Sequence, residues 1–140
     1  MTFPKFLEGG CACGAVRYRV DAEPDITLKC HCVDCQRASG GPFMALVRVP
    51  AAAFRFTKGT PVLYTTGSQK WGTNTRAFCG VCGSRVANGM REGKPVMGIP
   101  VSSLDDSSWY RPQMNIFVSQ APAWEKLESD IPAHELYPPA

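Results

Sequence analysis

Apolar and polar residues alternate along much of this chain. Ala15-Val16-Arg17-Tyr18-Arg19-Val20 is the clearest case, and a period of two sends alternate side chains to opposite faces of a strand. Runs of similar character, rich in β-branched and aromatic residues, predict strands at Ile26 to Cys30, Phe43 to Val49, Phe54 to Thr57 and Val62 to Thr66. Further strands are expected at Thr75 to Phe78, Arg85 to Asn88, Val96 to Val101 and Asn115 to Val118. The gaps carry Gly, Pro, Asp, Ser or Asn, which favour turns. Helical spacing is short-lived. Val33 to Ser39 predicts a turn or two, Ala51 to Phe54 one more, and Trp124 to Leu127 a brief excursion before an irregular tail. The pattern therefore predicts a mainly β, antiparallel fold in a single domain.

Composition narrows the picture without changing it. The 140 residues are 44% hydrophobic and 19% charged, which excludes disorder throughout and fits one domain. Phe43 to Phe54 is the most apolar run, and Arg48 and Pro50 interrupt it, so no segment reaches the ~20 residues that span a bilayer. The first ten residues lack the apolar stretch of a secretory signal. A cytoplasmic protein is the expectation, with no membrane partner. The formal charge of +3 is spread along the chain rather than gathered in a basic block, which argues against a nucleic-acid partner.

The seven cysteines change the picture. They are too few for a secreted disulfide scaffold and odd in number, and in a reducing compartment clustered cysteines hold metal or do chemistry. Gly10-Cys11-Ala12-Cys13-Gly14 offers two thiols on one face of an extended segment, and Phe78-Cys79-Gly80-Val81-Cys82-Gly83 is a Cys-x-x-Cys turn. Four thiolates at ~2.3 Å complete a tetrahedral zinc and leave it no open position, which makes such a site structural. Two disulfides or a redox pair are the alternatives. A bridge from i to i+2 is geometrically poor, and a thioredoxin-like pair needs a βαβ context that is missing.

Leu28-Lys29-Cys30-His31-Cys32-Val33-Asp34-Cys35 places three more thiols within one short stretch. Cys30 and Cys32 share a face if the strand runs through both, and a tight turn brings Cys35 back to them. Three ligands and an open fourth position characterise a catalytic zinc. Three thiolates leave Zn²⁺ with a formal charge of about −1, a soft centre better suited to sulfur chemistry than to activating water. Lys29 and Arg37 are candidates to offset that charge and attract an anionic substrate. Gly40 and Gly41 offer flexible backbone for a peptide-like ligand, or else simply a turn. His31 alternates with the cysteines and is expected to face away from them; His134 reads as surface. A second structural zinc with another ligand, or a loosely held one, is the alternative for this trio.

Taken in order, Gly-Cys-x-Cys-Gly-x-Val, Cys-His-Cys-x-x-Cys-x-x-x-Ser-Gly and Phe-Cys-x-x-Cys-Gly resemble the glutathione-dependent formaldehyde-activating enzyme family, whose domain centromere protein V also carries. The similarity runs from about Leu7 to about Pro132, leaving 133–140 as tail. The resemblance implies a zinc-stapled β fold like that of methionine sulfoxide reductase B. It implies a structural zinc on Cys11, Cys13, Cys79 and Cys82 and a catalytic zinc on Cys30, Cys32 and Cys35. The implied activity is carbon–sulfur lyase chemistry, joining glutathione and formaldehyde as S-(hydroxymethyl)glutathione, with the thiol and the aldehyde as partners. Members often carry histidine where this chain has Asn115. Two rivals remain: a non-enzymatic zinc-stapled domain that binds a protein, and a reductase, which would need a nucleophilic cysteine outside the zinc sites.

Overall fold

A computed structural model describes residues 2–68, 70 and 72–139. Among the described residues, ten strands form two sheets. The smaller sheet holds β1 (Leu7–Gly10), β2 (Arg17–Val20) and β5 (Phe54–Lys58), in the order β1-β2-β5. The larger contains β3 (Ile26–Cys30), β4 (Met44–Pro50), β6 (Val62–Ser68), β7 (Gly72–Phe78), β8 (Arg85–Met90), β9 (Val96–Pro100) and β10 (Met114–Ile116). Its order is β10-β3-β4-β9-β8-β7-β6. The one α-helix among the described residues, α1 (Val33–Ser39), falls where the sequence places it.

The structure departs locally from the sequence expectation. β1 was not visible in the sequence because Leu-Glu-Gly-Gly has almost no strand propensity; pairing with β2, Leu7 opposite Val20, makes it a strand. β10 pairs with β3 in parallel, an exception to the expected antiparallel pattern. It also ends early, because Phe117 adopts a left-handed conformation (φ 55°) and turns the chain into a short 3₁₀ segment, Val118–Gln120. The stretch around Trp124 forms a turn rather than a helix.

β4 shows how alternation builds two cores. Val47 and Val49 point to one face and join Leu7, Tyr18, Val20, Val86 and Ile99 between the sheets. Met44 and Leu46 point the other way and join Cys30, Cys35, Ile116 and Phe117. The tail packs beside this second cluster. Ala133 bridges to Asn115, the Phe117 N–H donates to the Leu136 carbonyl (3.0 Å), and the Tyr137 ring meets that of Phe117 edge-on at 4.8 Å.

A candidate metal-thiolate site and its cavity

The four cysteines of the first group come from two turns. Cys11 and Cys13 lie between β1 and β2, and Cys79 and Cys82 lie between β7 and β8. Their sulfurs all fall within 4.8 Å of one another, with Cys11–Cys13 at 3.6 Å and Cys13–Cys79 at 3.8 Å. A tetrahedral zinc with bonds of ~2.3 Å has sulfur–sulfur edges of about 3.8 Å, so this quartet has the dimensions for one. Backbone donors face the sulfurs: Val16 N–H to Cys11 (3.2 Å) and Val81 N–H to Cys79 (3.3 Å). Gly83 takes the left-handed φ of 78° that closes the second turn. Ser84 accepts from the Ala12 N–H (3.0 Å) and sits 3.2 Å from the Cys82 sulfur. That hydroxyl, with the Ser84 backbone, holds the Cys82 thiol down to about 5.

The second group is assembled differently from the sequence expectation. The strand stops at Cys30, and Cys32, extended at φ −62° and ψ 153°, caps the helix. Its sulfur accepts from the Cys35 N–H at 3.3 Å, the position a serine oxygen takes in an ordinary N-cap. One helical turn then carries Cys35 back, and the three sulfurs lie within 4.8 Å of each other. Gly40, at φ 78°, terminates the helix and donates its N–H to the Gln36 carbonyl. Gln36 anchors the helix by donating to the carbonyls of His31 (2.7 Å) and Gln120 (2.9 Å). With protons balancing the charge, the trio favours one thiolate. Hydrogen bonds from Cys30 and then Cys35 pull the Cys32 thiol down to about 2. The same contacts with Cys32 and Cys35, reinforced by burial, push Cys30 up. Such a cluster gives up its thiol protons to solvent as a metal binds and could hold zinc on three ligands.

All three cysteines line a cavity of about 410 Å³, within the range of small-molecule sites. Apolar side chains such as Leu46, Met97, Ile116 and Phe117 share its lining with polar and basic ones: Arg76 from β7, Asn88 from β8, Arg91 and Lys94 after it, and Asn74. Tyr137 and Pro138 of the tail contribute too, and the Tyr137 hydroxyl lies 3.3 Å from that of Ser68. A larger cleft of about 590 Å³ lies beside the four-cysteine group, between the Arg17–Asp105 ion pair and Arg85. A quartet complete in itself has no ligand position to offer that cleft, whereas the trio does.

Known proteins bear on this geometry. Residues 6–120 match the family described as glutathione-dependent formaldehyde-activating enzyme. The chain belongs to that family. A Halomonas elongata protein named as a candidate glutathione-dependent formaldehyde-activating enzyme is 29% identical over 129 residues, covering 88% of this chain and 82% of its own. A crystal structure of a Rhodobacter sphaeroides protein shares the fold, with a TM-score of 0.56 at 19% identity, covering 91% of this chain and 99% of that one. For a glutathione-dependent formaldehyde-activating family member, the two cysteine groups and the cavity are the parts to explain.

The structure brings together the seven cysteines in the expected four and three. It does not bring Lys29 or Arg37 to the cavity. The Lys29 ammonium pairs with Glu128 and lies 4.3 Å from the centre of the Phe43 ring, while Arg37 is exposed on the helix. Gly40 and Gly41 also lie off the cavity lining. His31 is fully buried, its Nδ1 3.4 Å from the Ile116 carbonyl oxygen, and burial lowers its pKa. It stands outside the sulfur cluster. Asn115 is buried and donates to Glu128 at 2.8 Å. Arg76 and Asn88 went unnoticed in the sequence. The available signal was a polar side chain at each of Asn74 and Arg76, two apart on a strand that leads directly into Cys79.

Proposed function

We propose that the protein is a zinc-dependent carbon–sulfur lyase that makes and breaks S-(hydroxymethyl)glutathione from glutathione and formaldehyde, or a closely related thiol adduct. The observation that carries this reading is the trio of sulfurs set in the wall of a basic cavity. The quartet would hold a structural zinc that joins the β1–β2 turn to the β7–β8 turn. The trio would hold the second. Bound there, zinc supplies the Lewis acidity that keeps a substrate thiol deprotonated near neutral pH.

The remaining work falls to the chain. The helix cap fixes Cys32 and Cys35 relative to each other. Arg76 donates from Nη2 to the Cys35 sulfur (3.5 Å) and offsets the negative charge of three thiolates. Arg91 and Lys94 give the cavity a positive field that draws in an anionic thiol such as glutathione. In synthesis the substrate sulfur forms the C–S bond to the aldehyde carbon, the C=O π pair moves to oxygen, and that oxygen takes a proton from water. The reverse step breaks the C–S bond and returns the proton. Thiols and aldehydes add unaided, so holding them together is the main contribution. Seven free thiols suit the reducing cytoplasm.

Exchange NMR on mixtures of glutathione and ¹³C-formaldehyde tests the reading. Interconversion faster than the protein-free rate, and returning to that rate in Cys32→Ser and Cys35→Ser, is expected. Full activity in both variants would remove the trio from the chemistry.

A further inference from the structure

Among the described residues the two sheets end in four edge strands, and three of these are guarded. β1 is covered by the segment after β9: Gly9 bridges to Leu104, and the Asp105 N–H donates to the Glu8 carbonyl at 3.0 Å. β10 is covered by the tail, where the Asn115 N–H donates to the Pro132 carbonyl and the His134 N–H to that of Asn115, both at 2.9 Å. β5 carries the exposed Arg55 and Lys58, charges that discourage a further strand. β6 is different. It pairs with β7 alone among the described residues, and Val62 to Gly67 contains neither a charge nor a proline. Its large side chains stand out on both faces, Leu63 at 56% exposure and Tyr64 at 61%. Val62 extends this patch toward Gly80, where an added Cβ would lie 3.1 Å from the valine side chain, and the exposed Val81 follows. A row of backbone N–H and C=O groups flanked by apolar side chains is a template for another strand, and native proteins leave few such edges open.

The strand matches a second copy of itself. Laid antiparallel about a two-fold axis at Thr65, Leu63 falls opposite Gly67, Tyr64 opposite Thr66, and Thr65 opposite its own copy. A Cβ added at Gly67 would meet nothing within 4 Å, so the Leu63 side chain of the second copy has room there. The two Tyr64 rings fall on one face as diagonal neighbours, within reach of each other. No like charges are brought together, because the strand carries none. A strand from another protein would find nothing charged on this edge to select it, whereas the copy fits at every pair. We propose that the protein forms a two-fold symmetric dimer through β6, which joins the two seven-stranded sheets into one continuous sheet. The pairing reaches the trio cavity. Arg76 and Asn74 of β7 stand opposite Tyr64 and Thr66, so these four residues share the face that the cavity occupies, and Gly67 is part of its lining. Tyr64 of the second copy, set against Thr66, comes to the rim of that cavity, and each chain borders the site of the other. The dimer depends neither on what the cavity binds nor on the reaction proposed above.

Sedimentation of the zinc-loaded protein between about 1 and about 100 µM tests the proposal, and wild type should reach the mass of two chains within that range. Thr65→Lys and Thr65→Glu each set like charges face to face across the axis and should weaken the dimer at least ~10-fold. Mixed in equal amounts, the two variants place Lys against Glu, and the dimer should return. A change that merely loosened the hairpin would not be repaired by mixing. Thr65 shares a surface hydrogen bond with Thr75 (2.8 Å), so Leu63→Lys, at a side chain that makes none, supplies a second variant expected to weaken the dimer as much. Circular dichroism of each variant checks that the fold is kept. Wild type that sediments as one chain throughout, folded variants that stay dimeric, or a Lys–Glu mixture that stays monomeric would each overturn the proposal.

Discussion

Nη2 of Arg76 lies 3.5 Å from the sulfur of Cys35, and this buried guanidinium forms no ion pair with a carboxylate among the described residues. Its counter-charge is the sulfur cluster. The contact also explains how the two cysteine groups are related. On β7, Arg76 faces the trio, while Ala77 and, just past the strand, Cys79 belong to the core on the quartet side. One strand thus positions parts of both.

Removing that charge should loosen the second metal. In Arg76→Met, zinc at the trio is expected to leave to a chromogenic chelator about 10-fold faster, the usual scale for losing a partner of a metal ligand. Arg76→Lys should recover part of the difference. The slower release from the quartet should not change in either variant, and two-phase release kinetics read both.

The quartet is expected to carry stability rather than turnover. Cys79→Ser should lose one zinc per chain and lower the thermal midpoint by about 10 °C, matching a loss of ~3 kcal/mol for a domain of this size. Scanning calorimetry with metal analysis checks this. The quartet ties the two sheets together through turns far apart in sequence, so the loss is felt globally.

Gly9 marks the tightest approach between the small sheet and the segment after β9. A Cβ there would overlap the Ser103 carbonyl oxygen and the Tyr18 ring. The Tyr18 hydroxyl bonds Ser103 Oγ at 2.7 Å, and Ser103 in turn donates to the Pro100 carbonyl, so neither neighbour can yield cheaply. Gly9→Ala is expected to cost at least ~2 kcal/mol in urea unfolding, whereas Tyr18→Phe, which removes only the hydroxyl, should cost about 1 kcal/mol.

Lys29 and Asn115 hold the Glu128 carboxyl down to about 2, with the lysine contributing most. A depressed carboxyl pKa adds stability above the unfolded value near 4.5, and that contribution disappears as pH falls toward 2. Wild type should therefore exceed Glu128→Gln in thermal midpoint at pH 6, and the gap should close between about pH 4.5 and pH 2. The carboxylate is about one-third exposed, so solvent screening keeps the gap small.

The strands with clear alternation were legible because one face of each meets a core. The helix at Val33–Ser39 was legible too, although the cap that starts it was not. A thiol in the N-cap position looks like another strand residue until the chain is seen to turn at Cys32. β1 escaped notice because pairing, not propensity, creates it. Among the site residues, the cysteines announce themselves by spacing, and spacing is a local property. Arg76 and Asn88 do not: an arginine on a strand reads as solvent-facing until the sheet order places its face against the trio. Lys29 shows the converse. Its position next to Cys30 suggested a role over the sulfurs, but strand alternation sends it to Glu128 on the other side.

The most direct test measures zinc content and S-(hydroxymethyl)glutathione exchange on one preparation each of wild type and Cys35→Ser. Two zincs with catalysed exchange in wild type, and one zinc with exchange at the protein-free rate in the variant, is the expected result. A variant that holds one zinc yet exchanges at the wild-type rate would contradict the assignment of catalysis to Cys30, Cys32 and Cys35.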